Sequence, residues 1–223
     1  MGLGLGGTAL LPAWAKDFWN EKKPADWTAD EIQQLLSKSP WAKDASIFDS
    51  AAHKGLSSAP RTAATSGRGG RRTTNPGSAI PMPGAAANWK ATVLWESALP
   101  VREAVKPAKS KDAEENYILA LIGDIPGVGV PSDDDEPAER KAKMDYLIEN
   151  TRLERKDDPL ELQQVKVAPK TPLLPAGTLF YFSRVLPIVA DNKQVTFVTK
   201  VGPLEVKCKF TLRDMLYRGN LEL

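Results

Sequence analysis

The chain has 223 residues, of which 42% are hydrophobic and 26% are charged, a composition typical of a soluble globular domain with additional segments. The formal net charge of +2 is too close to zero to indicate a nucleic-acid or membrane partner. One cysteine and one histidine exclude a disulfide within this chain and a metal site built from these two residue types. We therefore expect no metal and no cofactor.

Residues 1–15 form an apolar, uncharged stretch of about the length of the hydrophobic region of a signal peptide. The stretch ends in the letters AWA at positions 13–15, which fit the small-residue cleavage pattern, although the usual basic region in front of it is missing. We interpret it as a truncated signal peptide and expect a periplasmic or secreted protein. The stretch is too short to span a bilayer, so no integral membrane span is predicted.

Residues 16–43 predict a Trp-rich helical segment. Thr28 and Glu31 have the spacing of a capping box, in which each side chain accepts a hydrogen bond from the backbone N–H of the other residue. The helix is expected to end before Pro40, because proline disfavours helical geometry in the residue that precedes it. Aromatic residues around this helix could form a surface for a ligand or partner. Large aromatic side chains usually serve packing, and a short helix is marginal alone, so we expect them to pack on the main domain: Phe18, Trp19, Trp27 and Trp41.

Residues 44–87 are rich in Ala, Ser, Gly, Pro, Thr and Arg. They predict a disordered linker, because they cannot bury enough apolar surface to offset the entropy of ordering. The letters SGRGGRR at positions 66–72 suggest an alternative in which the Arg/Gly-rich linker binds nucleic acid. No aromatic residue stands among these arginines to stack on bases, so we expect no nucleic-acid partner. His53 lies in the same segment, which argues against a role as a catalytic base.

Residues 88–223 predict one α+β domain. Its first half alternates between strands and helices, and its second half is rich in strands. A continuous apolar run bounded by Gly and Pro is typical of a central buried strand, and four acidic residues before a proline mark the start of a helix. The predicted elements of the first half are a strand, a short helix, the central strand and a longer helix: Trp89–Glu96, Ser97–Val105, Tyr117–Ile122 and Asp133–Arg155.

The clearest pattern in the chain is a β-hairpin in the second half. Val195–Val201 and Leu204–Leu212 alternate between apolar and polar residues, and Gly202-Pro203 between them is typical of a turn. Two further strands are predicted at Gln163–Ala168 and Thr178–Arg184. The expected fold is a mainly antiparallel sheet packed by two helices in two layers.

Four blocks follow one another in the sequence: WTxxE with SPWA, a Gly/Arg-rich spacer, WESALPV, and DMxYxGxLEL at the C-terminal end. Together these blocks resemble an uncharacterised family of small exported acidobacterial proteins. The resemblance implies export and a spacer of variable length. It implies no activity and no catalytic or binding residues.

The sequence contains none of the motifs of serine hydrolases, zinc proteases or P-loop proteins. Cys208 lies on the apolar side of a predicted strand, where a thiol is usually an inert small hydrophobe. Glu96 and Asp214 each border a predicted strand, and a carboxylate pair could support hydrolysis. We expect each of them instead to hydrogen-bond a neighbouring turn.

The predicted function is therefore an exported, non-catalytic protein of the cell envelope that binds a protein or a glycan. A hydrolase that uses acidic residues and a nucleic-acid-binding protein are the alternatives. No catalytic, cofactor-binding or metal-binding residue is predicted.

Overall fold

The structure is a computed structural model that describes residues 17–49, 89–105, 111–123, 125, 130–132 and 134–223. The predicted signal peptide, His53 and the Arg/Gly-rich patch lie outside the described residues. The helices in the described part are α1 Phe18–Glu21, α2 Ala29–Ser37, α3 Leu99–Val105, α4 Lys111–Glu115 and α5 Pro137–Asn150. The strands are β1 Ala42–Asp44, β2 Ser46–Asp49, β3 Ala91–Trp95, β4 Asn116–Gly123, β5 Thr151–Glu154, β6 Leu160–Ala168, β7 Gly177–Ser183, β8 Gln194–Val201, β9 Leu204–Thr211, β10 Leu216–Tyr217 and β11 Asn220–Leu221.

Nine strands of the described residues form one antiparallel sheet in the order β1-β3-β4-β7-β6-β5-β8-β9-β2. Only Ala45 separates its two outermost strands, β1 and β2, along the chain. One continuous segment therefore pairs with β3 through its first half and with β9 through its second half. The sheet closes on itself through this segment, and closure removes the unpaired edges that an open sheet would expose.

Aromatic side chains fill the inside of the closed sheet. The ring centroids of Phe180 on β7 and Phe197 on β8 lie 5.0 Å apart, and those of Trp95 on β3 and Phe210 on β9 lie 5.2 Å apart. Each contact joins two strands that are not neighbours in the sheet, so the inner faces of opposite walls pack on each other. Both pairs adopt the edge-to-face arrangement that aromatic quadrupoles favour.

The short strand β5 leaves a gap in one wall, and α5 fills it. β5 lies between β6 and β8, and α5 packs against both of these longer strands. Leu147 of α5 is fully buried. Pro137 is the first residue of this helix and acidic residues precede it, as predicted.

The N-terminal segment belongs to the same core as the rest of the molecule. Thr28 and Glu31 form the predicted capping box at the start of α2, and α2 ends before Pro40. The predicted packing role of the four aromatic residues is confirmed, because Phe18, Trp19, Trp27 and Trp41 are all buried in the main core. The indole Nε1 of Trp41 donates a hydrogen bond to the carbonyl oxygen of Glu222 at 2.8 Å.

The predictions for the central strand and for the hairpin are confirmed in detail. Tyr117–Ile122 is buried throughout and lies between β3 and β7, as expected of a central strand. The hairpin β8–β9 pairs Val201 with Leu204 across the predicted turn, in which Gly202 has a φ of 56°. Glycine reaches this left-handed region without steric cost.

Three predictions about the architecture are wrong. The linker was predicted to begin at Asp44, but residues 44–49 complete β1 and form β2, because they satisfy the backbone groups of β3 and β9. The long helix ends at Asn150 instead of Arg155, because Thr151 turns inward and its hydroxyl oxygen lies 2.6 Å from that of Thr199 on β8. The sheet is closed instead of forming one of two layers, and more helices surround it than predicted.

Candidate functional site

The two carboxylates singled out from the sequence, Glu96 and Asp214, lie in different surroundings. Glu96 follows β3, and desolvation by burial raises its pKa. Asp214 lies exposed in the turn Leu212–Asp214, where its nearest cationic partner is Arg213 at 3.5 Å. Within the described residues no hydrogen bond joins the two side chains. The prediction that each of them hydrogen-bonds a neighbouring turn is not met in these residues either. These contacts therefore add no support for the hydrolase alternative.

Cys208 has the environment of a structural thiol. Its side chain is buried, and desolvation raises its pKa to about 12. The reactive thiolate is therefore scarce at neutral pH. Among the described residues, no group of three or more His, Cys, Asp or Glu side chains is placed to hold a metal ion.

A cavity of about 420 Å³ lies at one end of the closed sheet. Leu121 on β4, Thr178 on β7 and Val167 on β6 line it and lie directly opposite one another in the register, so their side chains share one face of the sheet. Phe180 stands two residues along β7 on that same face, and its ring contacts Phe197 across the interior. The cavity is therefore a continuation of the inside of the closed sheet.

The cavity forms because the aromatic packing stops short of this end of the sheet. The inward positions of β7 change from Phe182 and Phe180 to the much smaller Thr178. Gly177 precedes it, and a Cβ atom there would lie 2.7 Å from the carbonyl oxygen of Leu121, which leaves no room for a larger residue. The backbone itself therefore fixes this part of the cavity wall.

The segment that leads into α5 forms the opposite wall. Ile125, Val130 and Pro131 contribute apolar surface, and Asp135 lies at the polar rim. The Asp135 carboxylate accepts a hydrogen bond from the backbone N–H of Ser132 at 2.8 Å and from Lys143 Nζ at 2.7 Å. These bonds, that of Lys143 first, lower the pKa of Asp135. The rim carboxylate is thus engaged in fixing the wall to the helix.

The hydroxyl of Thr178 is the one buried polar group of this cavity without a partner among the described residues. Thr178 is 1% exposed, and its Oγ1 makes no hydrogen bond. A buried hydroxyl without a partner costs about 1–3 kcal/mol. A ligand atom would remove this cost by hydrogen-bonding Thr178 after a small shift of the cavity wall, because Oγ1 has almost no accessible surface. The cavity can therefore bind a molecule.

Sequence reasoning did not find this cavity. The only signal that could have indicated it is the run Ala176-Gly177-Thr178 in front of an aromatic strand, where small residues precede large ones on the inward face. That run was interpreted as a loop followed by an ordinary strand. The absence of filling side chains becomes visible only when β4, β6 and β7 are placed side by side.

In the described part of the chain, no helix has both the length and the apolar character to cross a bilayer. Comparison of the chain with protein families, with curated proteins and with solved structures finds no match.

Proposed function

We propose that this protein is an exported, non-catalytic binding module of the cell envelope, and that it holds a small, mainly apolar molecule in the cavity beside α5. The observation that carries this proposal is the buried hydroxyl of Thr178, which has no partner and lines the cavity. Small-molecule sites are concave, mainly apolar, and contain a few polar groups that fix orientation. The mouth of a closed sheet is one of the places where they occur.

The size and chemistry of the cavity limit the ligand. Its volume of about 420 Å³ lies within the range of about 300–1,000 Å³ that is usual for ligand pockets. Leu121, Ile125, Val130 and Val167 favour an apolar body, and Thr178 favours one carbonyl, hydroxyl or amine group, because a hydroxyl both donates and accepts. A glycan carries polar groups on all sides and suits this lining less well than an apolar molecule or an apolar side chain of a protein.

Export and kinship remain parts of the same proposal. The apolar stretch at residues 1–15 supports export, and the four sequence blocks support a relation to the exported acidobacterial proteins. The nucleic-acid alternative depends on residues 66–72, which lie outside the described residues. The hydrolase alternative depends on Glu96 and Asp214, and the described part of the chain shows no contact between them.

Binding of a fluorescent probe tests whether the cavity holds a ligand. N-phenyl-1-naphthylamine combines an apolar body with one N–H group, and we expect it to bind one site per chain with an increase in fluorescence. Thr178→Val keeps the shape of the side chain but removes the hydroxyl, and we expect it to weaken binding about fivefold. Thr211→Val is the matched control. Thr211 is a half-buried threonine at the C-terminal end of β9, and it does not line the cavity.

A cavity-filling variant provides the second arm of the experiment. Val167→Phe places a larger side chain at a position that lines the cavity, and we expect it to abolish probe binding while the chain stays folded. Unchanged binding in both Thr178→Val and Val167→Phe would contradict the proposed binding in the cavity.

A further inference from the structure

The loop between β7 and β8 presents aliphatic side chains to solvent at the other end of the closed sheet. The exposed fractions of Val185, Leu186 and Val189 are 84%, 53% and 47%. β7 begins at the cavity with Gly177 and ends directly before this loop, so the two features lie at opposite ends of the same strand. A group of exposed aliphatic side chains in one loop is typical of an interaction site.

The loop is held in one conformation although its side chains are exposed. The backbone N–H of Ile188 donates to the hydroxyl of Tyr117 at 2.8 Å, and that of Val189 donates to Asn192 Oδ1 at 3.0 Å. Ile188 is buried in the core and anchors the loop. The exposed residues are therefore preorganised, which lowers the entropic cost of binding.

The guanidinium of Arg155 satisfies carbonyl groups of the loop. It donates to the carbonyl oxygens of Pro187 at 2.9 Å and Leu186 at 3.4 Å, and to that of Asp158 at 2.8 Å. Carbonyl groups that face an apolar phase must be satisfied within the protein, because each unsatisfied group costs several kcal/mol there. Arg155 satisfies two successive carbonyl groups of the loop in this way, those of Leu186 and Pro187.

Positive charge lies beside the loop, where Arg155 contacts its carbonyl groups. Arg155, Lys156 and Lys193 line a recess of about 480 Å³, and none of these three forms an ion pair with another described residue. The carboxylate of Glu154 in the same recess is engaged by Arg152, with hydrogen bonds of 2.9 and 2.7 Å. The recess therefore suits a phosphate group.

Acidic side chains nearby limit the long-range attraction. Asp157 accepts a hydrogen bond from Asn192 Nδ2 at 3.0 Å, and Asp158 and Asp191 are exposed. The net charge around the loop is therefore close to zero, and the aliphatic side chains must supply most of the affinity for any partner.

We propose that this loop is a membrane-docking tip, defined by Val185, Leu186 and Val189, which inserts into the surface of a phospholipid bilayer while the recess takes lipid phosphates. A bilayer fits better than a protein, because three aliphatic residues on a protruding loop supply far less than the about 800 Å² per partner of a stable protein interface. Shallow insertion of apolar side chains beside cations is how surface-bound proteins hold to membranes. The tip stands independently of the proposed ligand cavity.

Co-sedimentation with lipid vesicles tests the docking tip. The full chain is mixed with vesicles of phosphatidylcholine and phosphatidylglycerol at a ratio of about 3:1, with pure phosphatidylcholine vesicles in parallel. We expect binding to both, and Val185→Ser with Leu186→Ser to lower the partition coefficient at least about tenfold, because the loss of two inserted aliphatic side chains removes most of the buried apolar area. Leu173→Ser is the matched control, since Leu173 is 38% exposed in the loop before β7, at the cavity end, and should not change binding.

The cations are tested separately. Lys156→Gln with Lys193→Gln should lower binding to the vesicles that contain phosphatidylglycerol about tenfold and change binding to pure phosphatidylcholine much less. Absence of vesicle binding in the wild type, or equal binding by the double-serine variant and Leu173→Ser, would overturn the proposal. Self-association in the absence of lipid that the double-serine variant abolishes would also overturn it, because the tip would then be a contact between copies.

Discussion

The two ends of the closed sheet use apolar residues in opposite ways. At the cavity end, small residues on β7 leave an internal space, and the segment that leads into α5 forms its opposite wall. At the tip end, Trp41 and Trp95 are fully buried and Trp41 is hydrogen-bonded to the C-terminal segment, while Val185, Leu186 and Val189 are exposed in the loop after β7. β7 takes part in both ends, since it begins with Gly177 and Thr178 and ends next to the loop.

The difference indicates that one scaffold serves two kinds of binding. An internal space with one unpartnered hydroxyl suits a small molecule that can be enclosed. A protruding, preorganised loop suits an extended apolar phase. Neither role requires a catalytic group, and each can be disrupted without the other.

The largest expected effect on stability concerns the tip end of the closed sheet. Trp41→Ala removes a fully buried side chain, its edge-to-face contact with Trp19 at 5.5 Å and its hydrogen bond to Glu222. We expect the free energy of unfolding to fall by about 3–5 kcal/mol, measured by urea denaturation. Trp89→Ala is the control, since Trp89 is 37% exposed. An equal loss in both variants would show that the N-terminal segment does not share the core.

A second variant acts on the cavity end. Gly177→Ala places a Cβ atom 2.7 Å from the carbonyl oxygen of Leu121, so the backbone of β4 or β7 must shift, and we expect a loss of about 2 kcal/mol together with weaker probe binding. Gly219→Ala at the tip end is the control. Gly219 has a φ of 83° but no atom within 4 Å of the added Cβ, so its loss of about 1 kcal/mol should leave probe binding unchanged.

Some elements of the fold could be predicted from the sequence and others could not, and the difference has a physical reason. The strand Leu204–Thr211 was predictable because one of its faces is buried and the other is wet, which produces strict alternation. The capping box at Thr28 was predictable because it depends only on residues four positions apart or closer. Closure through Ser46–Asp49 was not predictable, because that segment is held by backbone pairing with strands far away in the chain and shows no clear alternation.

The two candidate sites depend on contacts that no local pattern encodes. Neither the residue type of Thr178 nor its spacing from other residues marks it as special in the sequence. Its proposed role follows only from the missing hydrogen-bond partner inside the assembled sheet. The loop after β7 is apolar throughout, yet Ile188 is buried and Val185 is exposed. The hydroxyl of Tyr117 decides which residue turns inward, and Tyr117 lies on a different strand.

A third variant sharpens the interpretation of the cavity without a ligand. Thr178→Val removes a buried hydroxyl that has no partner and keeps the shape of the side chain. We expect the unliganded protein to gain about 1 kcal/mol of stability, measured by thermal or urea unfolding. A loss of stability of that size would instead mean that the hydroxyl has a hydrogen-bond partner inside the protein and is not available to a ligand.

The smallest expected effect is a pH dependence at Glu96, near the tip end of β3. Burial raises the pKa of Glu96, so the folded chain holds this proton to higher pH than the unfolded chain does. Stability from this group is therefore present at low pH and is lost as pH rises through the folded pKa. Glu96→Gln should be slightly more stable than the wild type at about pH 7 and equally stable at about pH 4. The same gain at both pH values would contradict this assignment.

Closure of the sheet is the claim on which both ends depend, and solution NMR tests it directly. Antiparallel pairing predicts cross-strand nuclear Overhauser effects between Lys43 and Val93, and between Ile47 and Val206, in the same sample. We expect both sets of contacts at full intensity. Contacts with β3 but none between β2 and β9 would show an open sheet, which could not enclose the cavity.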